Sequence, residues 1–294
     1  NLKKSILKQS KTEVPTCIFF SGGIDSSLIS YYALKENREI KLFSFLPSSI
    51  TSSNNDVLNA KERASLLGVK NFEYLYFEDS KLNKYLDLFS EKLYEPTSDA
   101  AIIPTMFLSD IASQQGFKVV LTGDGSDELF GGYSRYKLLA NYSKISNFSN
   151  FFKTINNKLI SRKLLNSKYL RMINLLSTIN STKELYSQLL SVENIFFNEP
   201  NDFIRLSDRL KFDVISQHNH FLEIPLILND FSMFDSISKA DFQNLLPNQY
   251  LPKVDNSTMI FSLEARVPFL DDHIVNFVFG NRENLALPNI KLKP

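Results

Sequence analysis

The chain has 294 residues and 43% of them are hydrophobic, so it is long enough to bury a sizeable core as one large domain or two smaller ones. Its 33 Lys and Arg residues nearly balance 32 Asp and Glu residues. The net charge of +1 argues against a protein whose main partner is nucleic acid or an anionic membrane surface.

Cys17 is the only cysteine in the sequence, which excludes an intrachain disulfide and suits a reducing compartment. The sequence contains no run of about 18 apolar residues and no visible signal peptide. We therefore expect a cytoplasmic protein that does not cross a membrane. Because the chain begins with Asn1 rather than Met, we also expect a fragment of a longer protein.

Strand-length apolar runs alternate with helical spacings through the first part of the chain. We predict strands at 14–20, 40–46, 72–77 and 117–122, and helices after residue 24 and at 54–67, 82–93 and 102–115. Gly68 is expected to end the second of these helices. This alternation predicts a parallel, doubly wound α/β sheet whose ligands bind at the carboxyl ends of the strands.

The pattern changes near residue 133, where Leu, Ile and Phe recur at helical spacings between Asn and Ser. We predict a sheet core in residues 1–132 and a mostly helical part in residues 133–294. The stretch 129–183 lacks Asp and Glu but holds ten basic residues, which are Arg135, Lys137, Lys144, Lys153, Lys158, Arg162, Lys163, Lys168, Arg171 and Lys183. A nucleic-acid or partner surface is one interpretation. We favour a second interpretation, in which these residues lie on solvated helix faces, because no recognition motif accompanies the charge.

The first strand and the first helix are joined by the sequence FSGGIDSS at residues 20–27. Unpaired backbone N–H groups and the positive end of the helix dipole meet at such a junction, and glycines let an anion approach the backbone. We expect the anion to be phosphate. The G-x-x-x-x-G-K-[ST] spacing of γ-phosphoryl-transfer enzymes is absent from the sequence. A turn whose serines merely cap a helix is the alternative.

Asp124, Asp127 and Glu128 place three carboxylates within five residues after the fourth strand. Keeping all three ionised is costly unless a cation lies among them, and Mg²⁺ prefers oxygen ligands that it shares with phosphates. We predict that Asp25 and Asp127, one from each loop, hold a Mg²⁺–pyrophosphate unit. The spacing does not fit an EF-hand, and a purely structural loop is the alternative.

Three segments occur in the order SGGIDSS, LTGDGSDELFGGYSRY and LPKVDNSTMIFSLEARVPFLD. Together they resemble the synthetase domain of the glutamine-hydrolysing asparagine synthetase family, and the resemblance extends from residue 14 to about residue 280. Residues 94–105 also resemble the family's substrate-side segment. They differ at Ala100 and Ala101, where the commoner pattern has proline and serine, so the identity of the acceptor acid stays open.

The resemblance implies an adenine nucleotide alpha-hydrolase-like sheet that binds ATP and Mg²⁺, and a reaction in two steps. The side-chain carboxylate of aspartate attacks the α-phosphate to give an acyl-adenylate and pyrophosphate, and ammonia from glutamine then displaces AMP. The chemistry is reasonable because a carboxylate is a poor electrophile until adenylation supplies a leaving group. The partners implied are small molecules, with no nucleic acid and no membrane, and the resemblance leaves room for a homodimer.

Carried over by position, the resemblance assigns pyrophosphate binding to Ser21, Gly22, Gly23, Asp25 and Ser26. It assigns nucleotide contacts to Phe20, Phe45, Thr122 and Gly123, with the two phenylalanines acting largely through their backbone. Magnesium falls to Asp25 and Asp127. The candidate catalytic residues are Asp124, Lys253 and Arg266, and Asp255 and Glu264 are candidate supports of the pocket.

Two parts of the family pattern are missing from this sequence. The family's glutaminase uses an amino-terminal cysteine, whereas residue 1 is Asn and Cys17 lies in a predicted strand, so we expect no glutaminase here. The family's usual catalytic lysine would lie beyond Pro294, so the resemblance implies that this chain is a catalytically incomplete fragment. Two rival hypotheses remain, which are a relative that acts on another carboxylate, such as a polysaccharide sugar acid or a peptide, and a non-catalytic nucleotide-binding protein.

Overall fold

Five parallel strands form one sheet in the part of the chain that the computed structural model describes, which comprises residues 1–47, 55–92, 97, 99–142, 176, 185–186, 189–190 and 233–281. In chain order the strands are β1 (Thr16–Phe19), β2 (Lys41–Pro47), β3 (Phe72–Phe77), β4 (Val119–Leu121) and β5 (Glu264–Arg266). The spatial order is β3-β2-β1-β4-β5. β1 therefore lies at the centre, with Cys17 aligned to Lys41 on one side and to Val120 on the other.

The described helices are α1 (Leu2–Ser10), α2 (Ile24–Glu36), α3 (Asn55–Leu66), α4 (Leu82–Lys92), α5 (Ile102–Gln114), α6 (Ser126–Phe130), α7 (Ser134–Ala140), α8 (Met233–Ala240), α9 (Leu251–Met259) and α10 (Asp272–Gly280). Short 3₁₀ segments cover Asp79–Lys81 and Pro268–Leu270, and a π-helix covers Asp241–Tyr250. None of the helices in the described ranges has the length and hydropathy that crossing a membrane requires.

Successive residues of a strand point to opposite faces of the sheet, and helices cover both faces. Ile18 of β1 lies on one face, in a cluster with Ile29 of α2 and Ala64 of α3. Cys17 lies on the other face, in a cluster with Phe107 of α5. Both strand residues are fully buried, which is typical of parallel sheets covered on both sides. The predicted doubly wound parallel sheet is therefore confirmed.

The predicted strands and helices in residues 14–122 are present, although several are shorter than expected. The largest difference is β5, which we did not predict and which lies in the part interpreted as helical. A three-residue strand carries little sequence signal by itself, and β5 forms because β4 offers it an edge. The backbone N–H of Glu264 donates to the Lys118 carbonyl at 2.8 Å, and that of Thr122 donates to the Arg266 carbonyl at 3.0 Å.

The chain divides into two compact units, which we call the sheet unit (1–130, 242–287 and 293–294) and the second unit (131–241 and 288–292). In the second unit, fully buried Asp241 accepts hydrogen bonds from Arg135 at 2.5 Å, Tyr136 at 2.6 Å and Tyr186 at 2.5 Å. One residue of the basic stretch thus serves an internal ion pair. Lys137 is exposed on α7, and the other eight basic residues of that stretch lie outside the described residues.

Candidate active site

The glycine turn, residues 21–23, links the end of β1 to the start of α2, whose N-cap is Gly23. Gly22 has a φ of +72°, in the left-handed region that glycine adopts without strain. The Ser21 hydroxyl accepts from the Gly23 N–H at 3.2 Å, and the Ser26 hydroxyl donates to the Gly23 carbonyl at 3.2 Å. The turn is therefore held by its own serines at the amino end of a helix, where an anion is favoured.

Helix α3 packs against one side of the glycine turn. A Cβ added at Gly22 would lie 2.6 Å from the Cα of Ala60, which is closer than real Cβ atoms approach a backbone. The Arg63 guanidinium donates to the Gly22 carbonyl. Only glycine fits at this position, and the turn has little room to change its path.

The acidic loop, residues 122–127, follows β4 and touches the first turn of α2, directly after the glycine turn. A Cβ added at Gly123 would lie 3.2 Å from the Cβ of Asp25 and 3.7 Å from the backbone nitrogen of Ser26. The absence of a side chain at Gly123 thus leaves room for Asp25. The structure brings together the two loops that the sequence predicted to share one edge of the sheet.

Asp124 is a partly buried carboxyl in the acidic loop. Burial raises the pKa of Asp124 above its ordinary value, against the opposing effects of the Thr122 hydroxyl and the Lys253 ammonium. The charge of Asp127 also raises it. The protonated form of Asp124 is therefore favoured relative to that of an exposed aspartate.

Lys253 reaches this region from α9, and its side chain is only 12% exposed. Its Nζ lies 2.8 Å from Oδ2 of Asp99, whose side chain is 21% exposed. Asp99 was missed by the sequence analysis, which singled out the segment around it for its resemblance but no charged residue in it. The spacing of 154 residues between the two partners leaves no local pattern from which the pair could have been predicted.

Arg266, the other basic candidate, ends β5 and holds the edge of the sheet to α1. Its Nη1 donates to the Gln9 carbonyl at 2.9 Å, and its Nε donates to Oε1 of Glu264 at 2.8 Å. Glu264, a candidate support of the pocket, is thus bonded to Arg266. Of the two basic candidates, Lys253 is the one that pairs with a residue beside the amino end of α5, whereas Arg266 bonds to α1 and to Glu264.

The phenylalanine candidates contribute their rings to the core. Phe20 is 1% exposed, with its ring against Phe72 at 5.9 Å, and its backbone N–H donates to the Phe43 carbonyl at 2.8 Å. The Phe45 ring packs against Phe77 at 5.7 Å between centroids. The two rings are thus engaged in packing within the sheet unit, and the nucleotide contacts of Phe20 and Phe45 stay a prediction.

A cavity of about 550 Å³ lies between α9 and the end of β5. Its lining consists of Pro247, Leu251, Pro252, Val254, Asp255, Asn256, Ala265 and Val267. The candidate support Asp255 belongs to this cavity. The described residues of the glycine turn do not line it, so the cavity is adjacent to α9 rather than formed by the two loops.

The chemistry of the two loops fits magnesium held jointly by protein and phosphate. Within the described ranges no cluster of three or more His, Cys, Asp or Glu residues forms a metal site. Mg²⁺ commonly takes one or two carboxylates and completes its shell with phosphate oxygens and water. Asp25, which fills the space left by Gly123, and Asp127 match that donor set.

Cys17 has no place in this site. Its side chain is fully buried in the sheet, and burial raises the pKa of its thiol. The thiolate is the nucleophilic form, so Cys17 is suited to packing and not to attack on glutamine.

Comparison with known proteins agrees with the sequence resemblance. The model of a family described as asparagine synthase matches residues 1–294. Glutamine-hydrolysing asparagine synthetase 1 of Bacillus subtilis is 28% identical over 274 residues, covering 91% of this chain and 40% of that protein. The probable asparagine synthetase of Schizosaccharomyces pombe is 34% identical over 153 residues, covering 45% of this chain and 27% of that protein. The chain thus spans two fifths or less of these relatives.

Two solved structures show weaker similarity. NH3-dependent NAD synthetase from Campylobacter jejuni is 17% identical, with a TM-score of 0.31, and the match covers 60% of this chain and 93% of that one. The U34-tRNA thiolase NcsA from Methanococcus maripaludis is 13% identical, with a TM-score of 0.33 and coverage of 88% and 76%.

Proposed function

Because this chain belongs to the asparagine synthase family, we propose that it performs the synthetase reaction of an ATP-dependent, AMP-forming amide ligase that converts aspartate to asparagine. The side-chain carboxylate of aspartate attacks the α-phosphate of ATP, giving aspartyl-adenylate and pyrophosphate. Ammonia derived from glutamine then displaces AMP and forms the amide. These substrates are small molecules of the cytoplasm, a compartment that suits a single reduced and buried Cys17.

The contact between the acidic loop and the first turn of α2 is the observation that carries this proposal. A Cβ at Gly123 would lie 3.2 Å from that of Asp25, so the acidic loop meets the amino end of α2, where a phosphate is favoured. The turn supplies backbone N–H groups for pyrophosphate, and Ser21 and Ser26 fix its shape through hydrogen bonds to Gly23.

Asp25 and Asp127 are the residues that would hold Mg²⁺. Bound there, the ion would offset the negative charge on the departing pyrophosphate. Lys253 is the candidate for the positive charge that faces the α-phosphate, because its ammonium pairs with Asp99 beside the amino end of α5. That helix leads into the amino end of β4, so its own amino end lies towards the carboxyl edge of the sheet, where ligands bind.

Aspartate-dependent exchange of labelled pyrophosphate into ATP tests the proposal, measured on the protein that carries this chain. We expect Asp25→Asn and Asp127→Asn each to abolish exchange while thermal unfolding changes little, because both acids lie in the first turns of helices, α2 and α6, and are only partly buried. Asp87→Asn is the matched control, since Asp87 is an exposed carboxylate on α4. Exchange within a few-fold of the parent in either loop variant would contradict the two-loop magnesium site.

The same assay separates the rival hypotheses. Exchange driven by a sugar acid or a peptide carboxylate, and not by aspartate, would identify a relative with another acceptor, for which the alanines at 100 and 101 are the sequence hint. Absence of exchange with every carboxylate, despite tight binding of Mg-ATP, would identify a non-catalytic nucleotide-binding protein.

A further inference from the structure

Asp99 uses its two carboxylate oxygens for different tasks. Oδ1 accepts a hydrogen bond from the Ala101 backbone N–H at 2.9 Å, at the start of α5. Oδ2 lies 2.8 Å from Nζ of Lys253. One side chain therefore joins the amino end of α5 to a cation carried by α9, and both belong to the sheet unit.

The Asp99–Lys253 ion pair is largely shielded from water. It therefore differs from exposed ion pairs, which contribute little to stability. The Lys253 side chain is 12% exposed and that of Asp99 is 21% exposed, and the ring of Tyr250 lies 5.6 Å from the ammonium. A lysine has a flexible four-carbon stem, so an ammonium that must face one point needs partners on more than one side. Asp99 and Tyr250 supply two such partners.

We propose that Asp99 is a positioning residue, whose carboxylate holds the Lys253 ammonium at the edge of the sheet where the acidic loop begins. In the reaction proposed above, this fixes where positive charge meets the α-phosphate, and that part rests on the proposed function. The inference that Asp99 holds Lys253 depends only on their ion pair and not on the proposed function.

The first test needs no enzymatic activity. Trace acetylation of lysines by an amine-reactive ester is quantified by mass spectrometry, with exposed Lys4 of α1 as the internal reference. Asp99→Asn retains an oxygen that can accept from the Ala101 N–H but removes the charge. We expect the labelling of Lys253 relative to Lys4 to rise several-fold, because the ammonium loses the carboxylate that holds it away from the reagent. Asp99→Glu should restore protection, and Asp87→Asn should not change it.

Asp99→Ser provides a second uncharged acceptor for the Ala101 N–H if the asparagine variant fails to fold. Unchanged labelling of Lys253 in whichever of these variants folds would overturn the proposal. Increased labelling in both the uncharged variants and Asp99→Glu would also overturn it, because the charge would then be irrelevant.

The second test uses aspartate-dependent pyrophosphate exchange. Removing a preorganised charge that faces the transition state typically costs on the order of 10²- to 10³-fold, and loosening its position costs a part of that. We expect Asp99→Asn to lower kcat on the order of tenfold, with the KM for ATP within twofold of the parent, and Asp99→Glu to recover most of the rate. An equal change in kcat and KM would contradict a role in the chemical step. If the parent shows no exchange, the proposed function fails and the labelling result alone decides whether Asp99 holds Lys253.

Discussion

Replacing Gly123 with alanine perturbs the contact between the two loops and little else. The backbone φ of Gly123 lies outside the left-handed region, so an alanine adds no backbone strain. The new Cβ would lie 3.2 Å from the Cβ of Asp25, a separation tighter than nine in ten real Cβ contacts. Asp25 must therefore move by a few tenths of an ångström.

This small displacement matters because Mg²⁺ demands near-ideal octahedral geometry with metal–oxygen distances of about 2.0–2.1 Å. We expect the Kd for Mg-ATP to rise on the order of tenfold, which corresponds to about 1.4 kcal/mol. Stability should change little. The loss of glycine's freedom in the unfolded chain contributes about 0.4–1 kcal/mol in favour of the variant, and this offsets the crowding at Asp25.

Isothermal titration calorimetry with ATP, in the presence and absence of magnesium, measures the effect, and thermal unfolding measures stability. Gly280→Ala is the matched control, because Gly280 is exposed at the end of α10 and a Cβ there would meet nothing within 4 Å. The control should bind Mg-ATP as the parent does. Equal affinities for Gly123→Ala and Gly280→Ala would refute the argument that the loop contact sets the position of a metal ligand.

Asp110 accepts hydrogen bonds from Lys84 at 2.7 Å and Tyr85 at 2.9 Å, and these partners lower its pKa by more than burial raises it. A carboxyl with a lowered pKa stabilises the fold above its unfolded-state pKa, so Asp110→Asn should cost about 1–2 kcal/mol of unfolding free energy at pH 7. Urea unfolding across pH should show that this difference from the parent vanishes as the pH falls through the folded-state pKa of Asp110. Asp241→Asn should destabilise the second unit by about 3–5 kcal/mol in urea unfolding, since it weakens a buried ion pair, and a loss below about 1 kcal/mol would contradict this. The basic stretch from Arg135 onwards should bind RNA only at low salt, and tight binding at physiological salt in a fluorescence titration would show that it is a specific surface.

The elements that sequence alone predicted are those whose signal is local. β3 was predicted at its observed bounds because its apolar run is flanked by polar residues, and α3 ends one residue before its predicted end, with Gly68 at a φ of +66° just beyond. The glycine turn and the acidic loop were placed on one edge by a general property of parallel sheets. That property does not depend on details of packing.

The features that were missed depend on contacts between distant parts of the chain. β5 needs the edge of β4, and Arg266 donates to Gln9 across 257 residues. Asp99 carries no pattern until α9 folds against α5 and brings Lys253 to it. Sequence periodicity reports which face of an element is apolar, whereas these contacts depend on which elements become neighbours.

The position of β5 in the chain has a consequence for biosynthesis. Val119 of β4 pairs with Glu264 of β5, so the ribosome must make residues 131–241 before the sheet can be completed. At 5–20 residues per second, this interval lasts on the order of 10 s. During it, one edge of β4 presents unpaired N–H and C=O groups, which invite pairing with other chains. We therefore expect nascent chains stalled between β4 and β5 to be the form of this protein that depends most on chaperones.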